Sequence, residues 1–192
     1  MKIKYLGGIS YSIVIFFGIY SHMVLKTTNK ESIDHLFNLK ASILLDLTMI
    51  FFDLIITCIM YFKFKEKHPI SSILAFTSKI SQTIALCFSV IITTLYVNKH
   101  FYVDDIFNVS NLIFDVGMYF FSISLSIYAY HIYEEREFPL RLSILLLLSS
   151  SIYMIGSILN IVDINLNNFE YLYIFVLLTE LYFSYCLFKY LK

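Results

Sequence analysis

Two carboxylates, Asp46 and Asp53, lie seven residues apart in ASILLDLTMIFFDLIITCIMYFK, residues 41–63. The stretch is otherwise almost entirely apolar and reaches the ~20 residues that a helix needs to cross a bilayer. Seven residues is about two helical turns, so both carboxyls share one helix face. A charged side chain near the bilayer centre costs about 2.5–3.5 kcal/mol on insertion scales, so such a face is expected to turn away from lipid and into a helix bundle.

Further polar residues stand inside other apolar stretches. Lys79 and Gln82 are three apart, and Ser89 and Thr93 continue their face. Asp115, Tyr119, Ser122 and Ser126 follow one another at intervals of four, three and four, and Glu180 precedes Ser184 by four. At ~1.5 Å of rise per residue these groups sort into two layers. Asp53, Lys79, Gln82 and Glu180 fall near the membrane middle, while His22, Asp46 and Asp115 fall in the outer third. The expected central site pairs Lys79 with Asp53 or Glu180, below an outer vestibule of His22, Asp46 and Asp115. Buried ionisable groups of this kind mark ion pathways and proton relays, or else structural ion pairs that fix helix packing. The Ser122/Ser126 stripe and Ser149-Ser150-Ser151 read as close-packing helix contacts.

The elements that hold these residues are six apolar segments, near 7–25, 41–62, 71–97, 111–133, 140–162 and 170–190. They predict an all-α, polytopic integral membrane protein: a six-transmembrane-helix bundle forming a single domain over 1–192, with the lipid bilayer as its main partner. Composition agrees, with 59% hydrophobic and 15% charged residues and a mean hydropathy of +0.76. Average soluble domains have about 25% charged residues. Zero formal net charge gives no reason to expect a nucleic-acid partner. Pro69 and Pro139 stand at the starts of the third and fifth segments, where a missing N–H is tolerated. The N-terminus has a basic start but no small-x-small cleavage site, so it reads as a retained first helix.

Basic residues set the expected orientation. Lys2, Lys4, Lys63, Lys65, Lys67, Arg136, Arg141, Lys189 and Lys192 fall on one side, against Lys26, Lys30, Lys40 and Lys99 on the other. The positive-inside rule then puts both termini in the cytoplasm. Tyr96, Phe101, Tyr102, Tyr130, Tyr133, Tyr171, Tyr173 and Tyr190 cluster near span ends as an interfacial belt. The run Glu134-Glu135-Arg136-Glu137 reads as a solvated turn, and Cys58, Cys87 and Cys186 as buried small hydrophobes. Asn108-Val-Ser110 matches a glycosylation acceptor pattern.

No GxSxG, HExxH, Walker-type loop or HxxxH is present, and no Cys/His spacing fits a metal. No cofactor is expected. The chain therefore reads first as a transporter or binding protein for a small solute, ion or lipid-like molecule, held by Asp53, Lys79, Gln82 and Glu180. The alternative is a structural, immunity or accessory membrane subunit without a substrate. An intramembrane enzyme using a carboxyl as general acid or base ranks third.

The run LDLTMIFFDLIITCIMY, residues 45–61, resembles the "DLxMxxxDxxxAxxLY" character of a family of bacterial membrane proteins, domain of unknown function 4386. GIYSHMVL at 18–25 resembles that family's "GIFSE", with His22 where an acid is usual, and SIDHLFNLKAS at 32–42 is similar to its amphipathic lead into the second helix. Residues 119–145, YFFSISLSIYAYHIYEEREFPLRLSIL, are similar to its helix, turn, "LPR" and next helix, with the order Pro139-Leu140-Arg141 here. The resemblance implies about six membrane helices in one domain of a bacterial inner-membrane protein. It places Asp46 and Asp53 at the family's two acids, and implies no reaction.

Overall fold

The structure is a computed structural model that describes residues 3–26, 35–98, 105–164, 166 and 169–191. Lys2, Lys30, Lys99 and Lys192 of the charge count, Phe101 and Tyr102 of the aromatic belt, residues 32–34 of the amphipathic lead and parts of the 98–110 and 163–169 loops lie outside the described residues.

Six long helices make up the described residues: α1 (Ile3–Ile19), α2 (His35–Phe64), α3 (Pro69–Val97), α4 (Asp105–Glu135), α5 (Leu140–Ile161) and α6 (Leu172–Tyr190). Six spans, Ile3–His22, Leu36–Phe64, Pro69–Val97, Asn108–Glu135, Leu140–Ile161 and Leu172–Tyr190, are long and apolar enough to cross a membrane. They match the six expected segments one for one. Many large apolar side chains, Phe16, Phe51, Ile84, Leu148 and Leu178 among them, lie on the outer surface. That surface suits lipid and would be a large apolar patch in water.

Local chemistry sets the helix ends. Pro69 occupies the first turn of α3, and Pro139, with an extended backbone (φ −58°, ψ 133°), stands just before α5. Arg136 adopts a left-handed conformation (φ 50°), and its N–H returns to the Ile132 carbonyl, which closes α4. The last turns of the first span are π-helical over Tyr20–Leu25, a widening that often accompanies functional or crowded positions.

Each helix packs on its neighbours in sequence, and α6 returns to pack on α1, so the six close into a ring. Small residues bring the backbones together. Gly117 of α4 lies over α3, where an added Cβ would stand 3.2 Å from the Ala85 methyl. Serines tie neighbouring helices: Ser126 donates to Ser150 (2.8 Å, α4 to α5) and Ser12 meets Ser184 (2.8 Å, α1 to α6). The Ser122/Ser126 stripe is thus a packing seam at Ser126. Ser89 and Thr93 of α3 both meet the buried Ser110 hydroxyl, at 2.8 and 3.0 Å, so the acceptor-pattern serine is bound inside the bundle. Cys58 departs from expectation: it is exposed on the outer face of α2, whereas Cys186 is buried.

A large apolar cluster, with Tyr11, Ile56, Met60, Phe64, Phe121, Leu125, Leu142, Leu146 and Phe183 among its members, fills the ring. The ionisable groups inside the spans are embedded in this packing.

Candidate functional site

Asp53 on α2 and Lys79 on α3 meet inside the ring. The Lys79 ammonium donates to Asp53 Oδ1 at 2.7 Å and to Gln82 Oε1 at 2.8 Å, and Phe121 of α4 presents its ring face 4.4 Å from Nζ. Asp53 and Lys79 are each 2% exposed, so the pair is dry enough for its charges to interact strongly. Of the two expected partners for Lys79, the structure selects Asp53.

Glu180 on α6 is linked to this group through Tyr153 and Phe121. Its Oε1 accepts from the Tyr153 hydroxyl at 2.6 Å, and the Tyr153 ring meets Phe121 edge to face, centroids 5.2 Å apart. Among the described residues Glu180 makes no ion pair. Two carboxyl groups, Asp53 buried and Glu180 half-buried, therefore stand within electrostatic reach of one buried ammonium. The Tyr11 hydroxyl of α1 lies within electrostatic reach of both carboxyls and of Tyr128. Three oxygens here, Asp53 Oδ2, Tyr11 Oη and Tyr128 Oη, are buried without a hydrogen-bond partner among the described residues.

Asp46, two turns from Asp53 towards the start of α2, has different company. Its Oδ1 accepts from Ser21 Oγ at 2.6 Å and lies 3.6 Å from His22 Nε2, while its Oδ2 is 2.8 Å from Lys26 Nζ. The π-helical turn carries Ser21 and His22, and Lys26 follows it directly, so the three residues face α2 together. His22 also stacks on Phe114 of α4, at 4.2 Å. The expected vestibule is thus divided: His22 and Asp46 meet, whereas Asp115 pairs with Asn160 of α5, Nδ2 donating at 3.0 Å. A cleft of about 370 Å³ opens beside Asn160, lined by Gly156, Asp163, Phe169 and Tyr173, at the opposite end of α5 from the turn that follows α4. It does not include Asp53, Lys79 or Glu180.

Residues 5–189, which take in nearly all of the six helices, match the family model described as Domain of unknown function (DUF4386). The chain belongs to that family. No curated protein and no solved structure matches the chain. Family membership agrees with the resemblance seen at residues 45–61, where Asp46 and Asp53 are both buried in hydrogen-bonded positions.

In this member of the family, the α2–α3 and α4–α5 turns also meet, and the acidic run there is not simply solvated. Lys63 bonds Glu137, and Lys67 bonds Glu135 at 3.1 Å and lies 3.5 Å from Glu137. The hydrogen bond from Lys63 holds the Glu137 carboxyl below the ordinary carboxylate range, and the bond to Glu135 raises Lys67 above the ordinary lysine value. Glu135 is nearly buried, at 4% side-chain exposure, and its Oε1 lies 3.5 Å from His68 Nε2. Among the described residues no group of three or more His, Cys, Asp or Glu is placed to hold a metal ion.

Sequence reasoning missed Tyr11, Tyr128, Tyr153, Lys26 and the His68–His131 pair. Lys26 was legible as a basic residue one turn after His22. The tyrosines were not, because a Tyr within an apolar helix looks the same whether its hydroxyl faces a carboxylate or lipid headgroups.

Proposed function

We propose that this protein is a membrane carrier or binding protein whose ring interior takes up a proton or a small monovalent cation at Asp53, Lys79, Gln82 and Glu180. One observation carries this reading: a buried carboxyl, Asp53, and a half-buried one, Glu180, stand within electrostatic reach of a single buried ammonium. A net negative charge at that depth is costly. A proton or bound cation that balances it turns the cluster into a site whose occupancy depends on conditions. The orphan Asp53 Oδ2 and the Tyr11 and Tyr128 hydroxyls supply acceptors and donors for it.

The test is infrared difference spectroscopy on protein in nanodiscs, titrated with acid and separately with Na⁺ or K⁺. The expected result is a protonated-carboxyl band that rises with acid or falls with cation, and that Glu180→Gln removes. A spectrum indifferent to pH and to both cations in folded protein overturns the proposal.

A second reading is favoured by Lys79 itself, which has a carboxylate, an amide oxygen and an aromatic face around it. Such complete coordination suits an ion pair that fixes helix packing in an accessory subunit. That reading predicts that Asp53→Asn combined with Lys79→Met keeps stability and every cellular phenotype.

The proposed setting is a bacterial inner membrane with both termini in the cytoplasm. Its support is that Lys4, Lys63, Lys65, Lys67, Arg136, Arg141 and Lys189 gather at one end of the bundle, against Lys26 and Lys40 at the other, among the described residues. Reporter fusions at each terminus test it.

A further inference from the structure

A proton bound beside Asp53 must enter from one end of the ring. One face of α4 carries Tyr128, His131 and Glu135 at intervals of three and four, a line of about 10 Å along the helix at ~1.5 Å per residue. At its inner end the Tyr128 hydroxyl is within electrostatic reach of Asp53. His131 is wholly buried, its Nε2 2.7 Å from Ser71 Oγ, and its ring stacks on His68 with centroids 4.7 Å apart and planes 12° off parallel. His68 faces Glu135, and Glu135 bonds Lys67, which is 60% exposed. Phe64 of α2 lies against both Tyr128 and His131 and walls the line on that side.

Unpartnered atoms concentrate along this line. Of nine buried side-chain nitrogen and oxygen atoms without a hydrogen bond among the described residues, five belong to it: Asp53 Oδ2, Tyr128 Oη, His131 Nδ1, His68 Nε2 and Glu135 Oε1. His68 Nε2 and Glu135 Oε1 lie 3.5 Å from each other, which leaves Asp53 Oδ2, Tyr128 Oη and His131 Nδ1 without a partner among the described residues. Buried polar atoms are bonded in the large majority of cases, so the concentration of these three on one route is an organised feature. Towards the other end, polar groups of the first four spans are bonded. Both oxygens of Asp46 are engaged, and Ser89, Thr93 and Ser110 bond one another.

We propose that Glu135, His68, His131 and Tyr128 form a proton path from the α2–α3 and α4–α5 turns to Asp53. It rests on the reading of the ring interior as a proton site, and it names the proton as the bound species. Each station can both accept and release a proton: a carboxyl, two imidazoles that gain it on one nitrogen and lose it from the other, and a hydroxyl that does both on one oxygen. Only bonds to hydrogen form and break. Transfer between stations that are not in direct contact requires a bridging water at the unbonded atoms. Lys63, Lys67 and Glu137 at the mouth and Lys79 and Glu180 at the inner end are the charged groups that border the route.

The experiment is a stopped-flow pH jump on protein in nanodiscs with a pH dye in the bulk, following the slow phase of proton uptake that comes from buried groups. Tyr128→Phe removes one hydroxyl and keeps the ring, and His131→Asn removes one imidazole. Melting curves establish that each variant is folded, and Tyr128→Phe decides alone if His131→Asn is not. The expected result is a slow phase retarded by roughly 10²-fold in Tyr128→Phe, of unchanged amplitude, since a positioned proton-transfer group contributes about 10²–10⁴-fold. Glu180→Gln lowers the amplitude instead. Wild-type rate and amplitude in Tyr128→Phe overturn the path and leave the central site standing. A wild-type protein with no slow phase beyond that of Glu180→Gln overturns the central site, and the path with it.

Discussion

Asp46 and Asp53 sit on one face of one helix, and both are buried, yet their surroundings differ in kind. Around Asp46 a serine, a histidine and a lysine from a single π-helical turn and its exit use both carboxylate oxygens. Around Asp53 one oxygen binds Lys79, the other is orphaned, and a second carboxyl, Glu180, stands within electrostatic reach without a cation of its own. The first arrangement is a closed clasp between the end of the first span and α2. The second has surplus negative charge and unused hydrogen-bonding capacity. Completeness of partnering, rather than burial or residue type, separates a structural carboxylate from a candidate functional one.

The largest effect that tests this contrast is expected at Lys79. Lys79→Met leaves Asp53 buried and unpaired, and removing one partner of a buried pair costs about 3–5 kcal/mol. Adding Asp53→Asn removes the stranded charge, and most of that loss returns in melting curves measured in nanodiscs. The functional reading requires that the double variant, although stable again, no longer shows the wild-type acid or cation dependence of the Glu180 carboxyl signal. Full retention of that signal would place Asp53 in the same structural class as Asp46.

Asp46→Asn comes next. It weakens charge-assisted bonds from Lys26 and Ser21, each class worth about 1.5–3 kcal/mol, but an amide oxygen still accepts from one of them. A melting-temperature loss smaller than that of Lys79→Met is expected, with Lys26→Met giving a similar loss because it breaks the same clasp. If the two losses add in the double variant, the clasp is not one unit.

The six spans were legible because hydrophobic length alone defines a membrane helix and no tertiary knowledge is needed to count it. Asp53, Lys79 and Gln82 were legible as one site because charges inside such spans must seek one another, and spacing of three placed Lys79 and Gln82 on one face. The choice of Asp53 over Glu180 was not, since it depends on which helices adjoin, and the ring order puts α2 directly against α3. The outer layer divided for the same reason. Equal depth does not make neighbours, and Asp115 turns to Asn160 on α5 while His22 turns to Asp46. The acidic turn was misjudged because the lysines that bind it lie some 70 positions away, as in the Lys63–Glu137 bond with a separation of 74.

That turn supplies the smallest effect and the sharpest control, because its carboxylates are partnered at the bundle's edge, where water screens them. Glu137 keeps 28% of its side chain exposed, and exposed pairs contribute about 0–1 kcal/mol. Its folded carboxyl titrates below the ordinary range, so its stabilisation is complete above the unfolded value near ~4.3 and is lost as pH falls through the lower folded value. Lys67 titrates above its ordinary value, so its share is complete below the unfolded value of ~10.4 and fades only as pH rises through the higher folded one. Between those limits the clamp is flat with pH. Glu137→Gln should therefore shift the melting temperature slightly at neutral pH, lose that difference in acid, and respond to salt. Titration of the wild-type protein near neutral pH then does not come from the Lys63, Lys67 and Glu137 clamp, and a Glu137→Gln protein that retains it would assign that titration to groups beyond the clamp.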